Sequence, residues 1–176
     1  TESVGGIEAL WYGDCAALVK MPDASVEIVG DALEKRALES SRVAKLAAKH
    51  GLSPAAGINR PEYMDALRKA RSYANTETGH WAFGPDVTAA DRVSRAQINA
   101  PAGTILLLCS DGFLALVSDY NAYDAESLIA AAQSKGLEVL CKELRASEAG
   151  DKEGVKFPRF KTSDDATALL VRLANE

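Results

Sequence analysis

Thr104-Ile105-Leu106-Leu107-Leu108-Cys109-Ser110-Asp111-Gly112-Phe113-Leu114 is an apolar run that ends abruptly on a carboxylate followed by a glycine. Ile105 to Leu108 are continuous hydrophobics of strand length, too short for a globular helix, and Pro101-Ala102-Gly103 ahead of them is turn chemistry. The pattern predicts a strand, buried on both faces, that delivers one acid to a site. A charged Asp111 at its end is costly unless it is hydrogen-bonded, paired with a cation or bound to a metal. Gly112 lets the backbone turn sharply or lets another group approach closely. Near the C-terminus the order reverses: Ser163-Asp164-Asp165-Ala166-Thr167 leads into Ala168-Leu169-Leu170-Val171. Two strands with acids at their ends point to one acidic site.

Upstream, Ile7 to Tyr12 and Ala16 to Val19 read as strands flanking Gly13-Asp14-Cys15, a hairpin-type connection, and Ser25 to Gly30 alternates like a third strand. Asp31 is placed to cap a helix running to about Lys49, with Leu33, Ala37, Leu38, Val43, Leu46 and Ala47 as its apolar stripe. Pro61 suits the first turn of a second helix through about Tyr73, whose buried face would carry Tyr63, Leu67, Ala70 and Ala74. Trp81 to Asp86 reads as a short strand, and Ala89 to Ile98 fits either an alternating strand or a brief helix. After the central strand, Phe113 to Val117, Ala125 to Ala132 and Leu137 to Ser147 read as helices, with a break near Gly136 and a charged loop at Gly150 to Gly154. No repeat or linker divides the chain, so residues 1–176 read as a single α+β domain.

At 176 residues and 47% hydrophobic content the chain is long enough to bury a core. It has no apolar run of membrane-spanning length and no basic-then-apolar leader at Thr1-Glu2-Ser3-Val4, which predicts a cytoplasmic protein with no membrane partner. A net charge of −5, with no basic block interleaved with aromatics, predicts no nucleic-acid partner. Cys15, Cys109 and Cys141 are widely separated in apolar contexts and read as buried, reduced thiols. His50 and His80, without ligand-spaced neighbours, read as surface or loop residues, so a structural zinc is not expected.

Chemistry must therefore rest on carboxylates, with Asp111 and Asp164 as the candidates and Asp165 beside them. Hard oxygen donors completed by water suit magnesium or manganese, and such an ion suits hydrolysis of a phosphate ester. Arg159 and Lys161, just ahead of the second acidic pair, could attract a phosphorylated substrate, although a solvated loop charge is the simpler reading.

TILLLCSDGF at Thr104 to Phe113 resembles the "LLLxSDG" strand of the metal-dependent protein serine/threonine phosphatases of the 2C class. Asp164-Asp165-Ala166-Thr167 followed by Ala168 to Val171 is similar to their closing "D-(N/D)-x-T-hydrophobic" motif, and Gly13-Asp14-Cys15-Ala16-Ala17 to their "GDSRA" hairpin, with Cys15-Ala16 where Ser-Arg is usual. The resemblance implies an α-β-β-α sandwich of antiparallel sheets flanked by helices, and a magnesium or manganese centre with Asp111 and Asp164 as ligands. It also implies a phosphorylated protein as substrate. Gly112 and Asp165 would support the ligands from just behind them, and Asp14 would belong to a structural hairpin. The family's "DGxGG" motif, whose aspartate bridges the metals, occurs nowhere in this chain. The resemblance then implies either the C-terminal part of a longer chain or a reduced relative. In both cases the sandwich would be incomplete, inviting self-association or pairing with the missing N-terminal segment. The alternative function is a phosphatase-like binding module without catalysis.

Overall fold

The apolar run predicted as a strand is one, and it lies second from the edge of a four-stranded sheet. A computed structural model describes residues 6–49, 65, 68, 69, 71–85, 87–152, 154–157, 159 and 162–174. Its strands are β1 (Gly6–Trp11), β2 (Ala16–Lys20), β3 (Val26–Val29), β4 (Ser94–Asn99), β5 (Ile105–Cys109) and β6 (Ala168–Arg172). The helices are α1 (Ala32–Lys49), α2 (Asp111–Ser118), α3 (Ala125–Lys135) and α4 (Leu137–Gly150), with a 3-10 helix at Val87–Arg92. One sheet has the order β3-β2-β5-β6 and the other pairs β1 with β4, all antiparallel.

Alternation along β5 assigns its two faces. Leu107 and Cys109 join Leu18, Phe113, Leu114, Leu128, Ile129 and Leu140 in a core shared with α2, α3 and α4, and Leu107 stands opposite Leu18 in the β2–β5 register. Leu106 faces the other way and packs with Val19, Val29 and Ile98, against which Ile7, Ala9 and Trp11 of β1 also lie. One face of the larger sheet is thus covered by helices, and the other shares its core with the smaller sheet. Leu108 departs from the expected burial: it is 41% exposed, at an apolar groove that Leu10 and Leu169 also line. Its neighbours Leu106 and Leu107 are buried, so the gap is local to this end of β5.

Several elements differ from the sequence reading. β1 and β2 do not form a hairpin, because both edges of β2 are taken by β3 and β5, while β1 pairs with β4 in the other sheet. Gly13, at φ +71, turns the chain from one sheet to the other. The hairpin is instead β2–β3, closed by Met21 N–H donating to the Ser25 carbonyl and by the Asp23 carboxylate accepting from Ser25 N–H. Residues 81–85 form no strand; Asn75 Oδ1 accepts from Ala82 N–H and ties them into a loop. Between Ala89 and Ile98 the chain is first 3-10 helix and then strand.

Leu38, expected on the buried stripe of α1, is 59% exposed, whereas Leu33 packs on the core. Ala37, Val43, Leu46 and Ala47 fall on side chains outside those described. Of the second predicted helix, Asp65, Arg68, Lys69 and Arg71 are helical. Ala74 is exposed rather than buried, and Tyr63, Leu67 and Ala70 lie outside the described residues. The helices α3 and α4 form as expected and break at Gly136, which takes φ +87. A capping box between Asp124 and Ser127 starts α3. No helix among the described residues is long and apolar enough to cross a membrane.

Candidate functional site

Antiparallel pairing explains why the two acidic stretches meet. Cys109 at the end of β5 lies opposite Ala168 at the start of β6, so the chain leaving one strand is adjacent to the chain entering the other. Beyond the last ladder pair, Ser110 N–H still donates to the Thr167 carbonyl, at 3.0 Å. The Ser110 hydroxyl accepts from Thr167 N–H at 3.1 Å and donates to the Asp165 carbonyl at 3.3 Å. Ser110 is also the N-cap of α2, but its side chain makes no cap bond within the helix, being used across the strands. Gly112 completes the approach: a Cβ built there would stand 2.2 Å from the Asp165 carbonyl oxygen and 3.2 Å from the Asp164 Cβ. Only a residue without a side chain allows the 164–165 backbone so close to the first turn of α2.

Asp111 and Asp164 line one cleft of about 150 Å³, and Asp14 from the β1–β2 connection lines it with them. Asp111 sits in the first turn of α2, where the helix dipole favours its charge. The Asp164 carboxylate accepts from Asp165 N–H at 3.0 Å. Asp165 itself is exposed; it brings its backbone carbonyl to Ser110, and its charge reaches Arg145. Farther along, Asp119 of the α2 C-terminus accepts from Arg36 Nε at 2.7 Å, and buried Glu148 accepts from Arg145 at 2.8 Å through both oxygens.

Arg159, which the sequence reading placed in solvent, lines the cleft and is paired with Asp151. Arg159 is 7% exposed and donates to Asp151 Oδ2, to the carbonyls of Asp151 and Phe157, and twice to the Thr162 carbonyl. These five bonds match the five N–H donors of a guanidinium, so Arg159 is neither a solvated loop charge nor a cation offered to a phosphate. Lys161 lies outside the described residues. Burial opposes ionisation of Asp151 as the largest single influence. The backbone N–H groups of Lys156 and Phe157, then Arg159 and the Val155 N–H, together outweigh it and hold the carboxyl below its ordinary value. A carboxyl depressed on folding contributes stability that is complete above its unfolded value and is lost as pH falls through the folded one. We predict that urea midpoints fall as pH drops below about 4 and that Asp151→Asn, destabilised at neutral pH, loses part of that acid dependence. An unchanged acid slope in the variant would refute the assignment.

The thiols also differ from expectation. Cys109 is buried as predicted, and burial first, then Cys15, pushes it up to about 12. Cys15 is exposed, yet its thiol is raised as well, by partial desolvation and then by Asp14 and Asp111, with Lys35 opposing. Neither is poised as a thiolate nucleophile. His80 is exposed, as expected, and His50 lies outside the described residues.

The oxygen donors Asp111 and Asp164 suit a hard cation. Among the described residues, however, no three His, Cys, Asp or Glu side chains are grouped to hold an ion between them. An ion on two carboxylates would keep most of its shell as water. No family model, curated protein or solved structure matches the chain. The residues that the sequence did not single out are Arg36, Asp119, Arg145, Glu148 and Asp151. They are charged residues in helices or at a helix end, indistinguishable by pattern from solvated ones. The one available signal was spacing: Arg145 and Glu148 are i, i+3 on α4.

Proposed function

We propose that this chain is a phosphatase-type domain of the magnesium- or manganese-dependent 2C class, hydrolysing phosphoserine or phosphothreonine esters of a protein substrate. The observation that supports the reading best is that Asp111 and Asp164 line a single cleft from the facing ends of two paired strands. Two sheets sharing a core, with helices against the larger one, are compatible with the α-β-β-α sandwich that belongs to this proposal. When bound, magnesium or manganese supplies Lewis acidity and lowers the pKa of water. Asp111 and Asp164 provide the carboxylates that would hold the ion and balance its charge. The raised Cys15 and Cys109 thiols argue against the competing thiol-nucleophile route of phosphoester cleavage.

A second reading, a phosphatase-like module that binds without catalysis, is favoured by one observation. The apolar groove beside β5 is about 620 Å³ and leaves Leu10, Leu108 and Leu169 exposed, as a partner-binding or self-associating surface would. Titration calorimetry of the full gene product with manganese separates the two. The hydrolase reading expects a saturable site that is lost in Asp164→Ala. The module reading expects no saturable manganese site, association visible by light scattering, and the same association in Asp164→Ala.

A further inference from the structure

We propose that Arg145 and Arg159 form a positioning pair that fixes the backbone of residues 162–164 on the end of α4 and thereby sets where the Asp164 carboxylate stands beside Asp111; its functional consequence rests on the metal-centred reading above. The segment from Asp151 to Thr167 contains no helix or strand among its described residues, so no ladder holds it. Two guanidinium groups take that role. Arg145, on α4, places Nη1 2.9 Å from the Asp164 carbonyl and 2.6 Å from Ser163 Oγ, while its contact with Glu148 anchors it to its own helix. Arg159 grips the Thr162 carbonyl from the other side and is pinned in turn to Asp151, the residue directly after α4. Its guanidinium carbon lies 5.8 Å from the Tyr120 ring centroid, and Tyr120 meets Phe157 edge-on at 5.2 Å, so the same cation ties the segment to the end of α2.

The two arginines thus hold residues 162 and 164 directly, and Gly112 and Ser110 receive residues 164 and 165 on the opposite side. The carboxylate of Asp164 has its main chain gripped from two directions, which is what a ligand-bearing loop needs to keep a fixed geometry. Lysine cannot replace Arg159 in this role, because a single ammonium has three donors on one atom and cannot reach a carboxylate and three carbonyls at once.

The test uses Arg159→Lys and Arg145→Gln in the full gene product, with manganese calorimetry and backbone amide NMR as paired readouts. Arg145 has a side chain 42% exposed, so its variant keeps the test open where Arg159→Lys does not fold. The expected result is a fall in manganese affinity of about 10–100-fold, together with shifted amides at Gly112 and Asp165 and faster exchange at Thr167, while β2 and β3 amides stay unchanged. Folded variants with parental amide signals at these three residues overturn the proposal, whether or not affinity changes. A parent that binds no manganese, with the three amides still displaced in the variants, overturns the phosphatase reading and supports the positioning pair.

Discussion

On the metal-centred hydrolase reading, Asp111→Asn is expected to lower manganese-dependent hydrolysis of a model phosphoester by the full gene product at least about a hundredfold, equivalent to roughly 2.7 kcal/mol of transition-state stabilisation. The substitution is nearly isosteric and leaves the cleft's shape in place. Part of its structural cost is one favourable charge at the start of α2, about 0.3–1 kcal/mol, which a folded domain tolerates. A loss of rate therefore reports on chemistry and not on folding, and circular dichroism of the variant makes that separation. Asp165→Asn is the matched comparison: its carboxylate is exposed and acts on Arg145 and not in the ligand pair, so its rate should fall far less than that of Asp111→Asn. Equal metal-dependent rates in Asp111→Asn and the parent would remove Asp111 from the mechanism.

Gly112→Ala should have the largest effect on stability. Alanine is the better helix former by about 1 kcal/mol, so propensity alone predicts a gain within α2. Against this, the new methyl would stand 2.2 Å from a backbone carbonyl oxygen, that of Asp165, which has no flexible side chain to withdraw. Either α2 or the 164–165 backbone must move by more than an ångström, and overpacking of this kind costs about 1–3 kcal/mol, at times more. We expect a net loss of about 2 kcal/mol, read as a lower urea midpoint, with manganese binding weakened in the same variant. Gly150→Ala, at the end of α4 where nothing lies within 4 Å, provides the contrast and should be neutral or slightly stabilising. A Gly112→Ala protein as stable as the parent would mean that the two acidic stretches do not approach as closely as described.

The parts of the fold legible in the sequence are those whose signal is local. Ile105 to Leu108 could only be a strand, and Gly136 had to break the helical run on either side of it. Gly112 was readable in part, since a glycine directly after a strand-end acid allows either a sharp turn or a close approach, and the structure shows the close approach. Pairing was less legible. Gly13-Asp14-Cys15 has the composition of a hairpin, but which edge of β2 is free depends on β3 and β5, and no local pattern carries that information. Burial of charge was legible least of all. Arg159 lies in a basic, aromatic stretch that reads as solvated, and it is buried because Asp151, eight residues earlier, and three carbonyls satisfy every donor it has. That compensation is a property of the folded loop and leaves no periodic trace.

Cys15 and Cys109 line the apolar groove beside β5 and not the acidic cleft. Peroxide and electrophilic drugs attack the thiolate, and partial burial, then Asp14 and Asp111, shifts Cys15 away from that form, as burial shifts Cys109. On the proposed metal-centred reading the reacting groups are carboxylates, which peroxide does not oxidise, so hydrolysis would survive an oxidative burst that silences a cysteine-based phosphatase.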